Sequence, residues 1–321
     1  MIVTGLFAGP GGMCLAAKRL GHTTVGVEND ANTVATRLAA GLPTIHGDVT
    51  QYSPRDIPGD VLAGGPPCQT YTVAGNGAGR RALDTVLALA KALAAREDIT
   101  QVLAELDDAR TGLVLEPLRW ALEAIDLGRP YKAIVLEQVP AVLPVWQAYT
   151  EILRAEGYSA ACGVLAAEQH GAPQTRKRAV LVARRDALVG LPAPTHRPWR
   201  RGALSEVETH LKPVVAMGDA LPHRGEFTVI SNYGTGGDPK TRGRRTSSEP
   251  AFTVTGKISR LRLIDADGTE LARLSHSEAG RLQGMPADWP WSGGDISQQI
   301  GNLCPAPLAE ALFRAAIGPA A

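Results

Sequence analysis

Short apolar runs alternate with helix-like stretches through the first half of the chain, and this pattern limits the fold more than any other feature. Residues 1–7, 23–27, 45–49, 61–63 and 133–136 read as strands, with helices over 13–20 and 29–40 between the first of them. Residues 158–165 and 179–183 add two more strands. Strands covered on both faces read as continuous apolar runs, and helices between them act as parallel crossovers. The expected class is therefore α/β, a parallel sheet with helices on both faces.

Two segments break the pattern. Residues 76–109 are long and helix-prone, with helices expected over 83–96 and 100–106. Residues 190–271 are rich in Pro, Gly, Arg and Thr, with short strands expected at 228–231, 252–255 and 261–264. Helical patterns return at 275–282 and 305–317. The 321 residues thus divide into a main domain, 1–189 plus 275–321, and a small, mostly β or irregular domain over 190–274. Charge follows the same division. Residues 190–262 hold 12 Lys and Arg against 6 Asp and Glu, a net +6, while the remainder is −5 within an overall +1. A basic segment on an acidic body suggests that this part meets a polyanion.

Other classes are disfavoured. No run approaches about 18 apolar residues, so no membrane span is expected. The start of the sequence lacks the basic-then-apolar pattern of a secretion signal. Cys14, Cys68, Cys162 and Cys304 form neither a CxxC pair nor a disulfide framework, so no metal site is expected and a reducing, cytoplasmic setting fits best.

Chemistry concentrates at strand ends. Phe7-Ala8-Gly9-Pro10-Gly11-Gly12 forms a strand-to-helix turn, where glycines let a ligand approach the backbone. Position 14 is Cys, where a dinucleotide fingerprint would need Gly. Glu28 and Asp48 close the second and third strands, the end at which parallel sheets bind ligands. Gly64-Gly65-Pro66-Pro67-Cys68-Gln69 places a cysteine on a Pro-stiffened turn, poised as a nucleophile rather than packed. Glu137 ends another strand, either as an acid facing a ligand or as a capped structural residue. In Gln174-Thr175-Arg176-Lys177-Arg178, positions 174, 176 and 178 share one face of an extended segment. They would offer an amide and two guanidiniums to an anion or a base edge, or form a solvated basic edge.

In this order the motifs resemble those of the cytosine-C5 DNA methyltransferase family. Phe7 to Gly12 resembles its cofactor turn, and Pro66-Pro67-Cys68-Gln69 its nucleophile motif. Leu136-Glu137-Gln138-Val139 is similar to its Glu-Asn-Val motif, and Gln174 to Arg178 to its Gln-x-Arg-x-Arg motif. Arg281 to Pro286 and Gly301-Asn302-Leu303-Cys304-Pro305 resemble the motifs that follow its recognition domain. The resemblance spans most of the chain outside residues 76–105 and 223–247.

The resemblance implies a Rossmann-like methyltransferase sheet with S-adenosylmethionine as cofactor and a flipped cytosine in duplex DNA as substrate. By position, Phe7, Gly9, Gly11, Glu28, Asp48, Val49, Pro67, Leu113 and Asn302 would bind the cofactor. Cys68 would add to C6, Glu137 would act at N3, and Arg176 and Arg178 would hold the base and its loop. Gln69, Lys240, Arg242, Arg244, Arg245 and Lys257 would contact DNA. The implied setting is a monomeric prokaryotic or phage enzyme of a restriction-modification system, with room for a cognate restriction endonuclease. The alternatives are an RNA (tRNA) cytosine-C5 methyltransferase and a catalytically weak DNA-binding or regulatory protein on the same fold. Gln138 stands where the family usually has Asn, and its extra methylene bears on the loop that supports Cys68. Residues 76–105 look like an insertion, which would cover the site, touch DNA beyond the target, or decorate the surface.

Overall fold

The computed structural model describes residues 1–67, 78–106, 108–200, 206–231 and 242–319. Its main sheet has seven strands. They are β1 (Ile2–Leu6), β2 (Thr23–Glu28), β3 (Thr44–His46), β4 (Val61–Gly64), β5 (Ala133–Gln138), β6 (Ser159–Ala166) and β7 (Lys177–Arg184). The spatial order is β3-β2-β1-β4-β5-β7-β6. The first five are parallel. The last two depart from the parallel arrangement read in the sequence: β7 runs antiparallel to both β5 and β6. A connection of ten residues joins β6 to β7, which suits antiparallel neighbours and is too short for a helical crossover.

Alternation along each strand feeds two cores. Leu62, Ile134, Leu136 and Leu181 point to one face. Val61, Ala63, Val135, Val180 and Val182 point to the other. Helices α1 (Gly12–Arg19) and α2 (Ala31–Ala39) follow β1 and β2. Asp30 caps α2 by accepting the Thr33 N–H at 2.9 Å. Next come α3 (Ala78–Ala94), α4 (Thr100–Ala104), α5 (Glu116–Asp126) and α6 (Leu143–Ala155).

The insertion is not a surface decoration. Val86 and Ala90 of α3 are fully buried and share a core with Trp120 of α5 and Trp146 of α6. Arg96, in left-handed conformation after α3, then bonds Asp126 and Glu156 at the C-terminal ends of α5 and α6. A cation at two helix C-termini is well placed electrostatically.

The late segment folds around a four-stranded antiparallel sheet. It begins with α7 (Glu206–Thr209) and α8 (Met217–Ala220). The strands are β8 (Thr228–Ser231), β9 (Arg244–Thr246), β10 (Leu261–Ile264) and β11 (Glu270–Leu271), in the order β11-β10-β8-β9. Helices α9 (His276–Leu282), α10 (Ile296–Asn302) and α11 (Ala306–Ile317) complete the chain. The core of the small sheet draws in Ala279, Leu282 and Ile300 from α9 and α10. Residues 252–255, expected as a strand of this sheet, lie outside it. They extend along 173–176 instead, with Ala251 N–H donating to Pro173 O at 2.9 Å and Thr253 Oγ1 to Thr175 O at 2.6 Å. Among the described residues, no helix is long and apolar enough to cross a membrane.

Candidate active site

The C-terminal ends of β1, β2, β4 and β5 surround one cavity of about 540 Å³. The turn after β1 forms its floor. Phe7 adopts φ 52° there, and the Ala8 N–H donates to Val27 O at 3.0 Å. Gly12 is required by close approach, since a Cβ would stand 2.3 Å from the Cys304 carbonyl. That contact seats the last motif against the first. Asn302, at the end of α10, lines the same wall, and its Oδ1 accepts from Gln298 Nε2 at 2.7 Å.

Glu28 closes β2. Its Oε2 accepts the Gly9 N–H at 2.9 Å, and its Oε1 accepts those of Asn29 and Asp30 at 3.1 and 3.0 Å. Three backbone donors orient the carboxylate, which lines the cavity beside Phe7 and Gly9.

On the far wall, β4 delivers the Pro66–Pro67 turn. Cys68 and Gln69 lie outside the described residues, as does Lys240. Neighbouring β5 carries Glu137 one residue before its end, only 5% exposed. The antiparallel register sets Gln138 opposite Ala179, which brings Arg178 alongside Glu137. Their Nε and Oε1 atoms are 2.6 Å apart. An ion pair this buried is stable only with good geometry, and removing one member leaves an unpaired charge. Gln138 Nε2 donates to the Pro66 carbonyl, and its Oε1 accepts the Val139 N–H at 2.5 Å. The longer amide therefore bridges the two strand ends.

Arg176 also lines the cavity. Its guanidinium is committed to backbone carbonyls: Val254 at 2.7 Å, Gly301 at 2.8 Å and Leu303 at 3.3 Å. Burial first, and then the charge of Arg178, push its pKa down. Gln174 is fully buried. It donates to Leu282 O at 2.8 Å and accepts the Val254 N–H at 2.9 Å. This motif thus bolts the late segment to the sheet, and only Arg178 pairs with Glu137. Cys304 also lines the cavity, where burial drives its thiol pKa well up.

Four expected cofactor residues are not on the cavity wall. Gly11 packs toward Leu42 and Trp289. Asp48 caps a short turn by accepting from Thr50 N and Oγ1 at 2.9 Å. Val49 is core, and Leu113 sits half-buried in the turn before α5. The cavity wall instead includes Asp30, Asp295 and Gln298, none of which carried a motif.

The basic residues also separate. Arg244 is exposed on β9. It stands in one row with Ile230 and with Arg262, a residue the sequence did not single out. Arg242 is half-buried and Lys257 exposed. Arg245, expected at DNA, turns inward. It donates to Thr175 Oγ1 and to the carbonyls of Pro250 and Ala251 at 2.8–2.9 Å, and lies 4.3 Å from the Phe252 ring centroid. Strand alternation explains the difference, since adjacent residues face opposite sides.

Known proteins share this organisation. A family profile described as C-5 cytosine-specific DNA methylase matches residues 1–94. The type II methyltransferase M1.HphI of Haemophilus parahaemolyticus is 26% identical, covering 97% of this chain and 85% of its own. M.NgoMIV of Neisseria gonorrhoeae is 28% identical, covering 96% and 94%. Among solved structures, the S. pombe Dnmt2 methyltransferase superposes with a TM-score of 0.62 at 15% identity, covering 98% and 97%. A DNA modification methyltransferase encoded within an E. coli prophage superposes with a TM-score of 0.57 at 17% identity, covering 98% and 99%.

Proposed function

The chain belongs to the C-5 cytosine-specific DNA methylase family, and from that membership we propose how its residues methylate cytosine in duplex DNA. The observation that carries the reading is the convergence on one cavity of the oriented Glu28 carboxylate, the Pro66–Pro67 turn leading to Cys68, and the Glu137–Arg178 pair. A cofactor-binding turn and a base-facing pair within one space are what transfer between two bound molecules requires.

The residues present fit S-adenosylmethionine. Glu28 is held by three N–H groups, which leaves oxygen lone pairs for ribose hydroxyls on the cavity side. The cavity lies within the usual 300–1,000 Å³ range for ligands of this size. When bound, S-adenosylmethionine supplies the methyl group. Phe7, Gly9, Glu28, Pro67 and Asn302 hold it.

The target carbon is unreachable inside a duplex, so the base is extruded into the cavity. The Cys68 thiolate adds to C6 of the ring, and the displaced electron pair makes C5 nucleophilic. Glu137, taking a proton from solvent as the base enters, hydrogen-bonds to or protonates N3 and stabilises the charge that develops. Arg178 holds Glu137 and the base carbonyl. Once C5 carries the methyl group, a solvent water takes the C5 proton, the electron pair of that C–H bond re-forms the C5–C6 double bond, and the thiolate leaves C6. Arg176 supports the wall rather than touching the base.

Arg242, Arg244, Lys257 and Lys240 would supply DNA contacts, with Gln69 near the target. One chain carries both halves of the cavity, which supports action as a monomer. The type II relatives suggest a cognate restriction endonuclease of the same sequence specificity.

The test is transfer of labelled methyl from S-adenosylmethionine to mixed-sequence duplex DNA, with tRNA and Cys68→Ser in parallel. Label at cytosine C5 of DNA, lost in the variant, is expected. Label only in tRNA would shift the substrate to RNA. DNA binding without label in either would leave a binding protein.

A further inference from the structure

The side chain of Arg37 is completely buried beneath the turn after β1. Its Nη1 donates to the carbonyls of Ala8 at 3.2 Å and Gly9 at 3.0 Å. Nε donates to Thr44 Oγ1 at 3.0 Å, and Nη2 to Pro43 O at 3.3 Å. Both terminal nitrogens also lie 3.5–3.6 Å from Cys14 Sγ. The fold makes space for this group at Gly26, where a Cβ would stand 2.1 Å from Nη2. Among the described residues, all its hydrogen-bond partners are neutral.

A buried cation with no counter-ion is a costly way to gain stability, and an apolar side chain would serve a plain core better. What the guanidinium serves is the turn. Phe7, at φ 52°, takes the chain out of β1, so the carbonyls of Ala8 and Gly9 have no ladder partner. A buried orphan carbonyl is unfavourable, and a planar fork of donors holds two at a fixed spacing. The turn is thus clamped from both sides, with the Gly9 N–H on Glu28 and the Gly9 carbonyl on Arg37. Gly9 and Glu28 both line the cofactor cavity, whereas Arg37 does not.

We propose that Arg37 is a positioning residue for S-adenosylmethionine, acting through the backbone of Phe7–Gly9 and so through the seat of Glu28. The proposal rests on the cofactor reading above. It also assigns the effect to the geometry of the fork rather than to the charge, since a lysine keeps the charge but cannot span from Thr44 to Gly9.

The test is titration calorimetry on the full chain with S-adenosylmethionine and, separately, S-adenosylhomocysteine, using the parent, Arg37→Lys and Thr44→Val. Arg37→Lys is expected to weaken both ligands in parallel by about tenfold or more, the size of one lost charge-assisted hydrogen bond. Steady-state kinetics should show the loss in KM for S-adenosylmethionine, with kcat at saturating cofactor and KM for DNA nearly unchanged. A purely structural role would lower the melting temperature without that split. Thr44→Val removes the Nε anchor, together with the Thr44 Oγ1 bond to the Leu42 carbonyl, and should weaken both ligands about threefold. A folded Arg37→Lys protein with parental affinity overturns the proposal. Should that variant not fold, parental affinity in Thr44→Val overturns it. A parent that binds neither ligand would instead sink the cofactor reading, and this proposal with it.

Discussion

Gln138 and Pro66 are tied across the ends of two neighbouring strands, the amide of one donating to the carbonyl of the other. Pro66 is two residues before Cys68, and Gln138 directly follows Glu137. The bond therefore sets the spacing between Pro66 and the end of β5, and with it the proposed spacing of nucleophile and acid. Gln138→Ala should lower kcat by about 10–100-fold with little change in KM, because small misplacements of reacting groups are costly. Gln138→Asn, one methylene shorter, should fall between. Single-turnover methyl transfer measures this, and a parental rate in the alanine variant would refute the spacing role.

Glu137 and Arg178 form a buried pair on the cavity wall, the proposed seat of the base. Glu137→Gln keeps the shape but removes the carboxylate, so kcat should drop by about 10²–10⁴-fold. The unpaired Arg178 should also lower the melting temperature. Measuring both separates chemistry from folding. An equal loss of rate in Glu137→Gln and in a distant variant of matched stability would count against a direct role.

Arg244 and Arg245 are adjacent in sequence and opposite in direction. Arg244→Gln should weaken DNA binding and reduce the slope of log affinity against log salt by about 1. Arg245→Gln should leave that slope alone and cost about 1–3 kcal/mol of stability, since the Pro250 carbonyl loses its guanidinium donor. Filter binding across a salt series, with thermal melts, distinguishes them. A salt slope lowered equally by both would mean that Arg245 reaches DNA.

Acid sensitivity should trace to Glu278. Burial would raise its pKa, but Arg224, the Ser275 N–H and His223 together hold it down at about 2. The depressed value means that the folded state releases this proton more readily than the unfolded state, whose carboxyl titrates near the ordinary 4.5. The stabilisation is full above that ordinary value and is lost as pH falls through it toward 2. Glu278→Gln should be less stable at neutral pH and flatter below about pH 5. Melting curves from pH 7 to 3 will show whether the acid limb flattens, and an unchanged limb would assign it to other groups.

Much of the fold was readable because its signals are local. The strands 1–7, 61–63 and 133–136 are almost wholly apolar and found their places in the parallel part of the sheet. Direction was not readable where it depends on loop length, so β6 and β7 turned out antiparallel. Helices α5 and α6 carry Pro117 and Pro144 in their first turns, where proline suits a helix but looks like a loop signal in sequence. Glu28 and Glu137 could be found because strand ends bind ligands. Arg37 could not, since a lone arginine late in a short helix reads as solvated until the glycine at 26 and the turn at 8–9 are seen around it. Arg176 has the same cause: its partners at 254, 301 and 303 are far away in sequence.

The strip at 251–254 belongs by sequence to the late segment but is hydrogen-bonded to 173–176. Strands β10 and β11 follow the strip, so exchange of the small domain between relatives has to pass through it. A chimera that retains the host's residues 251–254 would keep its own strip on Gln174 and Arg176, while one that replaces all of 190–274 would bring a foreign strip to both. Among the described residues, outward Arg244 and Arg262 make no such bond to this frame, so residues there can change while the frame around the cavity stays intact.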